Sequence, residues 1–414
     1  MSFLRHGLAG VAVALVAYLL WPIALWANII LRERPLPGQF FAYGNASTTC
    51  EIIRDDAAGL NMCEDIVSGS FGGRNILLAS CDSHRHSWNT VTGPMLNPDT
   101  RGTIWIAEHG GNSKLQLQKL DLRGYEHADF HPLGIALHEK TLFVINHRKA
   151  ASTIELFHLE SNHGFFARHI RTVSGWWIVS PNNLAPTSSA SFYVSQDHLF
   201  TRRLPFPLGT ILSTLEMVLM LPLGWVNHVR LLDDGSTQVK WPVVGVSFPN
   251  GVAINPAGTQ LALASASRGL VYFFNRDVET NAVTKVHTIQ LPFGTDNLSY
   301  DGDRLIVAGH PHLGNFQAVS NNETGSFAGS WIASVEPRTE ARRQGAPPED
   351  AATPLTVDSL VTQPDSHIIR TIYQSDGRNG LGTSTAGILD QAHGKFFASG
   401  IFDGVLQCNF EAQA

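Results

Sequence analysis

Six segments of the chain repeat one pattern. They are DIVSGSFGGRNILLAS (65–80), GIALHEKTLFVIN (134–146), NNLAPTSSASFYVS (182–195), NGVAINPAGTQLALAS (250–265), NLSYDGDRLIVAG (297–309) and TAGILDQAHGKFFASG (385–400). Each sets a short strand and a polar or glycine-bearing turn before a run filled with Leu, Ile, Val, Phe or Ala. That is the pattern of a β-hairpin. Further strand candidates accompany them: GTIWIAEH, STIELFHLE, VKWPVVGV, LVYFFNRD, GSWIASVE and IIRTIYQS. Six hairpins with accompanying strands predict an all-β fold, a six-bladed β-propeller. The uneven spacing predicts large loops between blades. A two-sheet sandwich of this size would be unusually large for one domain.

The ends of the chain fit closure of a ring. Cys50 precedes the first hairpin and Cys408 sits in the last strand candidate, where a disulfide would lock the first blade to the last. Cys63 and Cys81 bracket the first hairpin, where paired strands either bridge them or leave two buried thiols. An even count of four cysteines with no CxxC argues against a zinc ribbon and for an oxidising compartment.

Residues 8–31, LAGVAVALVAYLLWPIALWANIIL, carry no charge over a stretch long enough to cross a bilayer. The run is too long for a typical cleaved signal, and no good small-x-small site follows it. It reads as a signal anchor. Residues 1–35 are therefore expected to form an N-terminal transmembrane segment, and 36–414 the propeller. The domain would lie in the secretory pathway, lumenal or extracellular, or be secreted. Asn45 and Asn322 head glycosylation sequons. The formal net charge is −6 and no basic run occurs, which excludes nucleic acid as a partner. A second apolar segment, 204–226, has Glu216 as its only charge and looks helical from 210 to 221. Three readings fit it: a lid over a site, an interfacial helix lying on a membrane, or a helix buried against a blade.

The first strand of each hairpin faces the propeller axis. At or just before four of these strands stand Glu64-Asp65, Asn182-Asn183, Asn250 and Asp296-Asn297. They are carboxylates and amides, with no His or Cys. Asn and Asp also cap turns and strands. Their recurrence at equivalent places in a repeat points instead to an oxygen cage for a hard cation, with calcium favoured over zinc or magnesium. No GxSxG, GxGxxG, Walker A or HExxH motif occurs; Gly382-Thr-Ser-Thr-Ala386 falls one residue short of the first.

CEIIRDDAAGLNMCEDI, FHPLGIAL, LFVINH, FPNGVAINPAG, TDNLSYD, VAGHP and the closing Cys408 occur in the same order as in the paraoxonase/arylesterase family. The chain resembles that family from about Cys50 to Cys408. The resemblance implies a calcium-dependent hydrolase of lactones and aryl esters, acting on a small lipophilic substrate. It assigns a catalytic calcium to Glu64, Asn182, Asn250, Asp296 and Asn297. It assigns a second, structural calcium to Asp65, the backbone at Ile135, and the position of Asn183, and a disulfide to Cys50 and Cys408. The family has Asp where this chain has Asn183, so the second site is expected to bind more weakly.

A larger departure concerns the general base. The family carries Pro-His-Gly where this chain reads Pro132-Leu133-Gly134. The second histidine of the family's dyad matches His147. His131 lies two residues before Leu133, and alternate residues of a strand share a face, so it is a candidate for the same pocket. His310, in GHP, matches another pocket position. These three histidines are the candidate catalytic residues, and a hydrogen-bonded histidine in a blade is the competing reading of each. Membrane contact is expected through the N-terminal segment and through 204–226. Two other functions remain: a calcium-stabilised, membrane-anchored propeller that binds a lipophilic ligand or protein without catalysis, or a propeller of the strictosidine-synthase type.

Overall fold

The computed structural model describes residues 21, 24, 26–96, 101–110, 114–338 and 355–412. Six antiparallel-based sheets surround one axis. Their innermost strands, in chain order, are Cys63–Phe71, Pro132–His138, Pro181–Ser188, Pro249–Ile254, Gly294–Asp301 and Ser384–Asp390. All six expected hairpins form the two inner strands of successive blades, and the fold is the six-bladed propeller. Each blade buries its Leu, Ile, Val and Phe side chains against the next. One core cluster, for example, packs Leu78 and Ile106 of blade one against Ile135 and Val144 of blade two.

The ring closes through the N-terminal strand. Cys50–Ile53 pairs antiparallel with Val405–Asn409 and becomes the outer strand of blade six. Cys50 and Cys408 face each other in that register and are disulfide-bonded. Cys63 and Cys81 are bonded across the first hairpin, which settles the open alternative.

The inner strands share a second feature that the sequence pattern did not show. Every one has a register shift near its start: Cys63/Asp65, Pro132/Ile135, Pro181/Leu184, Pro249/Val252, Thr295/Leu298 and Ser384/Ala386. Such bulges interrupt strand alternation and re-aim side chains. They hold Glu64, Leu133-Gly134, Asn182-Asn183, Asn250-Gly251, Asp296-Asn297 and Thr385 around the axis. Two glycines are required there. A Cβ on Gly134 would lie 2.2 Å from the Asn182 carbonyl oxygen, and one on Gly251 would lie 2.6 Å from the Asp296 carbonyl oxygen. Their bareness lets adjacent inner strands converge.

Among the described residues no helix is long and apolar enough to cross a membrane, so the N-terminal transmembrane helix expected from sequence has no support here. Residues 1–20, 22, 23 and 25 of that expected segment lie outside the described residues. Its last part packs on the propeller. Residues 26–30 are helical, Trp26 and Ile30 are buried, and the Trp26 indole covers Gly269 and donates to the Ser267 carbonyl. Trp26 and Ile30, ahead of residue 36, are thus part of the packed body.

The apolar segment contains the helix Leu208–Val218, close to the expected span. Its polarity is inverted. Gly209, Ser213 and Glu216 face the propeller, while Leu208, Ile211, Leu215 and Val218 are exposed. Glu216 anchors it, accepting the backbone N–H groups of Leu199 at 3.0 Å and Phe200 at 2.9 Å.

The Cys50–Cys408 bridge closes a loop of 358 residues. Chain-entropy arguments give such a constraint about 6 kcal/mol. The double variant C50S/C408S should fold with a lowered urea midpoint. An unchanged midpoint would show that strand pairing alone holds the ring shut.

Candidate metal centre and its cavity

The axial bulges build the floor of a cavity of about 290 Å³. Glu64, Asn182, Asn250 and Asp296 line it from four blades. All four, with Asn297, are almost completely buried. Buried polar atoms are normally partnered. Here Glu64 Oε2, Asn182 Oδ1, Asn250 Oδ1 and Asn297 Oδ1 have no hydrogen-bond partner. The matching nitrogens account for part of the arrangement. Asn297 Nδ2 donates to Glu64 Oε1 at 3.1 Å, and Asn182 Nδ2 to Asp197 Oδ2 at 3.3 Å. Those bonds leave each amide with its oxygen free.

Four unpartnered acceptors beside buried carboxylates form an electrostatic problem. Burial, then the adjacent Asp65 and Asp296 carboxylates, push Glu64 well above the usual carboxylate range. Arg85 is the nearby counter-charge; it is itself buried and donates to the Pro132 carbonyl at 2.9 Å. A hard divalent cation would satisfy the free oxygens and relieve the repulsion. The donor set fits calcium: oxygen only, from several strands, with amides outnumbering carboxylates. No cluster of three or more His, Cys, Asp or Glu suited to a metal occurs among the described residues, as expected where amides supply most of the donors.

The three candidate histidines go to different places. His310 lines the cavity. Its Nε2 lies 2.8 Å from Asp296 Oδ2, its buried Nδ1 has no partner, and the Phe316 ring covers it at 4.1 Å. His147 is not at the cavity. Its Nε2 donates to the Pro181 carbonyl at 2.7 Å, and its Nδ1 lies 2.6 Å from Thr90 Oγ1. Burial, foremost, lowers its pKa to about 4. His131 also lies off the cavity. Its Nδ1 pairs with Asp82 Oδ2 at 2.8 Å, and Trp88 packs against its ring at 5.6 Å. The register shift between Pro132 and Ile135 explains this. It breaks the alternation that would have put His131 and Leu133 on one face, and Leu133 alone reaches the cavity wall. His131 and His147 are instead neighbours, with the His147 N–H donating to the His131 carbonyl at 2.9 Å. Together with Asp82, Arg85, Trp88 and Thr90 they fasten the loop that brings Asn89 and Val91 over the cavity.

Asp65 and Asn183 lie beside the cage but contact each other, and Ile135 is joined to Asp65 through its N–H. Asn45 is exposed and caps the helix Ala46–Thr49 with its side-chain oxygen; Asn322 is also exposed. Of the cavity walls, only the contribution of 204–226 was among the sequence readings, as the lid. Ala27, Ile30 and Leu31 come from the N-terminal segment, Met217 and Met220 from the inverted helix and its end, and Leu313 and Phe316 from the helix Leu313–Ser320. No local pattern marks these residues, because only packing brings them together.

The raised Glu64 value has a sign. Without a cation the folded state binds a proton that the unfolded chain releases above about 4.5, so stability falls as pH rises from there through Glu64's raised value. Chelated protein should show a falling melting temperature over that rise, and calcium should restore progressively more of it toward high pH. A melting temperature indifferent to calcium at high pH would remove the cage as a cation site.

The sequence model of the arylesterase family matches residues 90–340. Serum paraoxonase/lactonase 3 of Oryctolagus cuniculus is 29% identical over 229 residues, 53% of this chain and 60% of that protein. Human serum paraoxonase/arylesterase 2 is 26% identical over 294 residues, 69% of this chain and 70% of its own. The first of these matches thus spans less than two thirds of the relative's length. Among solved structures, a gluconolactonase of Xanthomonas campestris overlaps 92% of this chain and 99% of its own at 13% identity and a TM-score of 0.43, too loose a likeness to bear on function. The family match spans more than half of the sequence, and the chain belongs to the arylesterase family.

Proposed function

We propose that the protein is a calcium-dependent hydrolase of lipophilic lactones and aryl esters. The observation that carries this reading is the set of four unpartnered buried oxygens, three of them on residues that line an apolar-walled cavity. Glu64, Asn182, Asn250, Asp296 and Asn297 would hold the ion. A calcium ion there supplies a Lewis acid that polarises an ester carbonyl and offsets charge developing on its oxygen.

The chain's own residues do the rest. Leu133, Met217, Phe248 and Phe316 offer apolar walls to an acyl chain or aryl ring and exclude bulk water. His310 is the proposed general base. With Nε2–H donated to Asp296, the neutral ring presents its Nδ1 lone pair, the one atom of the ring left unpartnered. A water attacking the carbonyl loses its proton to that nitrogen, and the same proton then returns to the leaving oxygen as the ester C–O bond breaks. His147 has no free nitrogen and serves as a strut, as does the His131–Asp82 pair.

The side chains of Phe206, Leu208, Ile211 and Leu215 are exposed, in and just before the helix whose Met217 and Val218 line the cavity. Large apolar side chains withdrawn from water contribute roughly 1.5–3 kcal/mol each. We read this face as resting on a membrane, from which lipophilic substrate enters directly. Two disulfides fit a secretory-pathway location.

Full-length protein should hydrolyse phenyl acetate or members of a γ- and δ-lactone panel with calcium, and lose that activity to excess chelator. Asp296→Ala and Asn250→Ala should abolish it, and His310→Gln should lower kcat by about 10²–10⁴. Wild-type turnover by His310→Gln would sink the base assignment. A folded, calcium-binding protein that turns over nothing in the panel would point to a ligand-binding propeller, the reading that Leu133 favours. Phe206→Asp with Ile211→Asp should weaken sedimentation with phosphatidylcholine vesicles while sparing turnover of a short soluble ester; unchanged sedimentation would refute the membrane face.

A further inference from the structure

Next to the cage of free oxygens lies a second buried polar group with none. Asp65 and Asn183 are as buried as the cage residues, at 4% and 5% exposure, yet no side-chain atom of either is unpartnered. Asp65 Oδ1 accepts the Ile66 N–H at 2.9 Å. Asp65 Oδ2 accepts two donors, the Ile135 N–H at 2.9 Å and Asn183 Nδ2 at 3.1 Å. Asn183 Oδ1 in turn accepts the Val252 N–H at 3.3 Å.

This arrangement fixes which end of the amide faces the carboxylate. The Val252 N–H can bond only to the Asn183 oxygen, so the amide nitrogen must point at Asp65. A cation between Asp65 and residue 183 needs lone pairs on both sides. Here one side presents an N–H, and a neutral amide leaves one negative charge fewer to hold the ion. The second calcium that family membership implies at Asp65, Ile135 and residue 183 therefore does not fit these residues.

We infer that hydrogen bonds replace the cation at this position, and that the protein binds one calcium ion where its family implies two. Asp65, Ile135, Asn183 and Val252 belong to four successive blades, so the chain of bonds is a clasp across the axis. Restoring a carboxylate at 183 would turn the donor into an acceptor and set two buried carboxylates against each other, the condition a cation relieves. The count of one rests on the proposed calcium at the neighbouring cage; the closure of the clasp does not.

The test is calcium retained per chain after gel filtration, measured by atomic emission on the full-length protein. Wild type should retain one calcium, the cage variant Asn250→Ala none, and Asn183→Asp, purified in calcium, one more than wild type. Two calcium ions in wild type, or one surviving in Asn250→Ala, would overturn the inference. So would Asn183→Asp retaining no more than wild type. Zero in wild type with one in Asn183→Asp would uphold the clasp and instead overturn the proposed catalytic ion.

Discussion

The structure turns on six strand bulges that force polar side chains into the dry centre of a ring. A regular inner strand would alternate its residues between the blade's two faces. The register shifts at Cys63/Asp65, Pro181/Leu184 and Thr295/Leu298 instead present consecutive polar residues at the axis. Gly134 and Gly251 allow the strands to approach closely enough for those residues to meet. The cost is a buried group of carboxylates and amides that cannot all be satisfied internally. One half resolves it with hydrogen bonds, through Asp65 and Asn183. The other half leaves four oxygens free, and there the proposed chemistry is sited.

The roof has a different logic. Loops at one end of the propeller supply apolar walls, and the largest of them carries a helix turned inside out. Glu216 is spent on holding that helix to blade three, which leaves its leucine and isoleucine side chains to face outward. The N-terminal segment shares this end: Trp26 seats it over Gly269, and Ile30 and Leu31 reach the cavity. A polar floor suited to a hard cation beneath an apolar roof is what the proposed substrate, one ester group with a hydrophobic remainder, would require.

The histidines show where reading a strand from sequence loses its footing. HPLGIALHEKTLFVINH contains both His131 and His147, and the two do come together, as backbone neighbours across a hairpin. Neither reaches the cavity. The bulge that aims Leu133 inward turns His131 toward Asp82, a partner 49 positions away that no local pattern announces. His310 had no stronger sequence signal than the others. Its place on the cavity wall distinguishes it: His131 likewise bonds a carboxylate through one ring nitrogen and leaves the other unpartnered, but away from the cavity.

The sequence by itself determined the architecture: six hairpins, the strand partners of each, the closing pair Cys50 and Cys408, and the polar pairs at the axis. The closing pair, 358 residues apart, follows from the need to join the first blade to the last; the others are local, periodic properties, within reach of strand alternation and turn chemistry. Only the tertiary structure decided which oxygens stay free, which histidine reaches the cavity, and where the N-terminal segment and the inverted helix come to rest. Those outcomes depend on contacts between distant blades, such as Asn297 with Glu64 and Asn183 with Asp65, whose geometry exists only once the ring has closed.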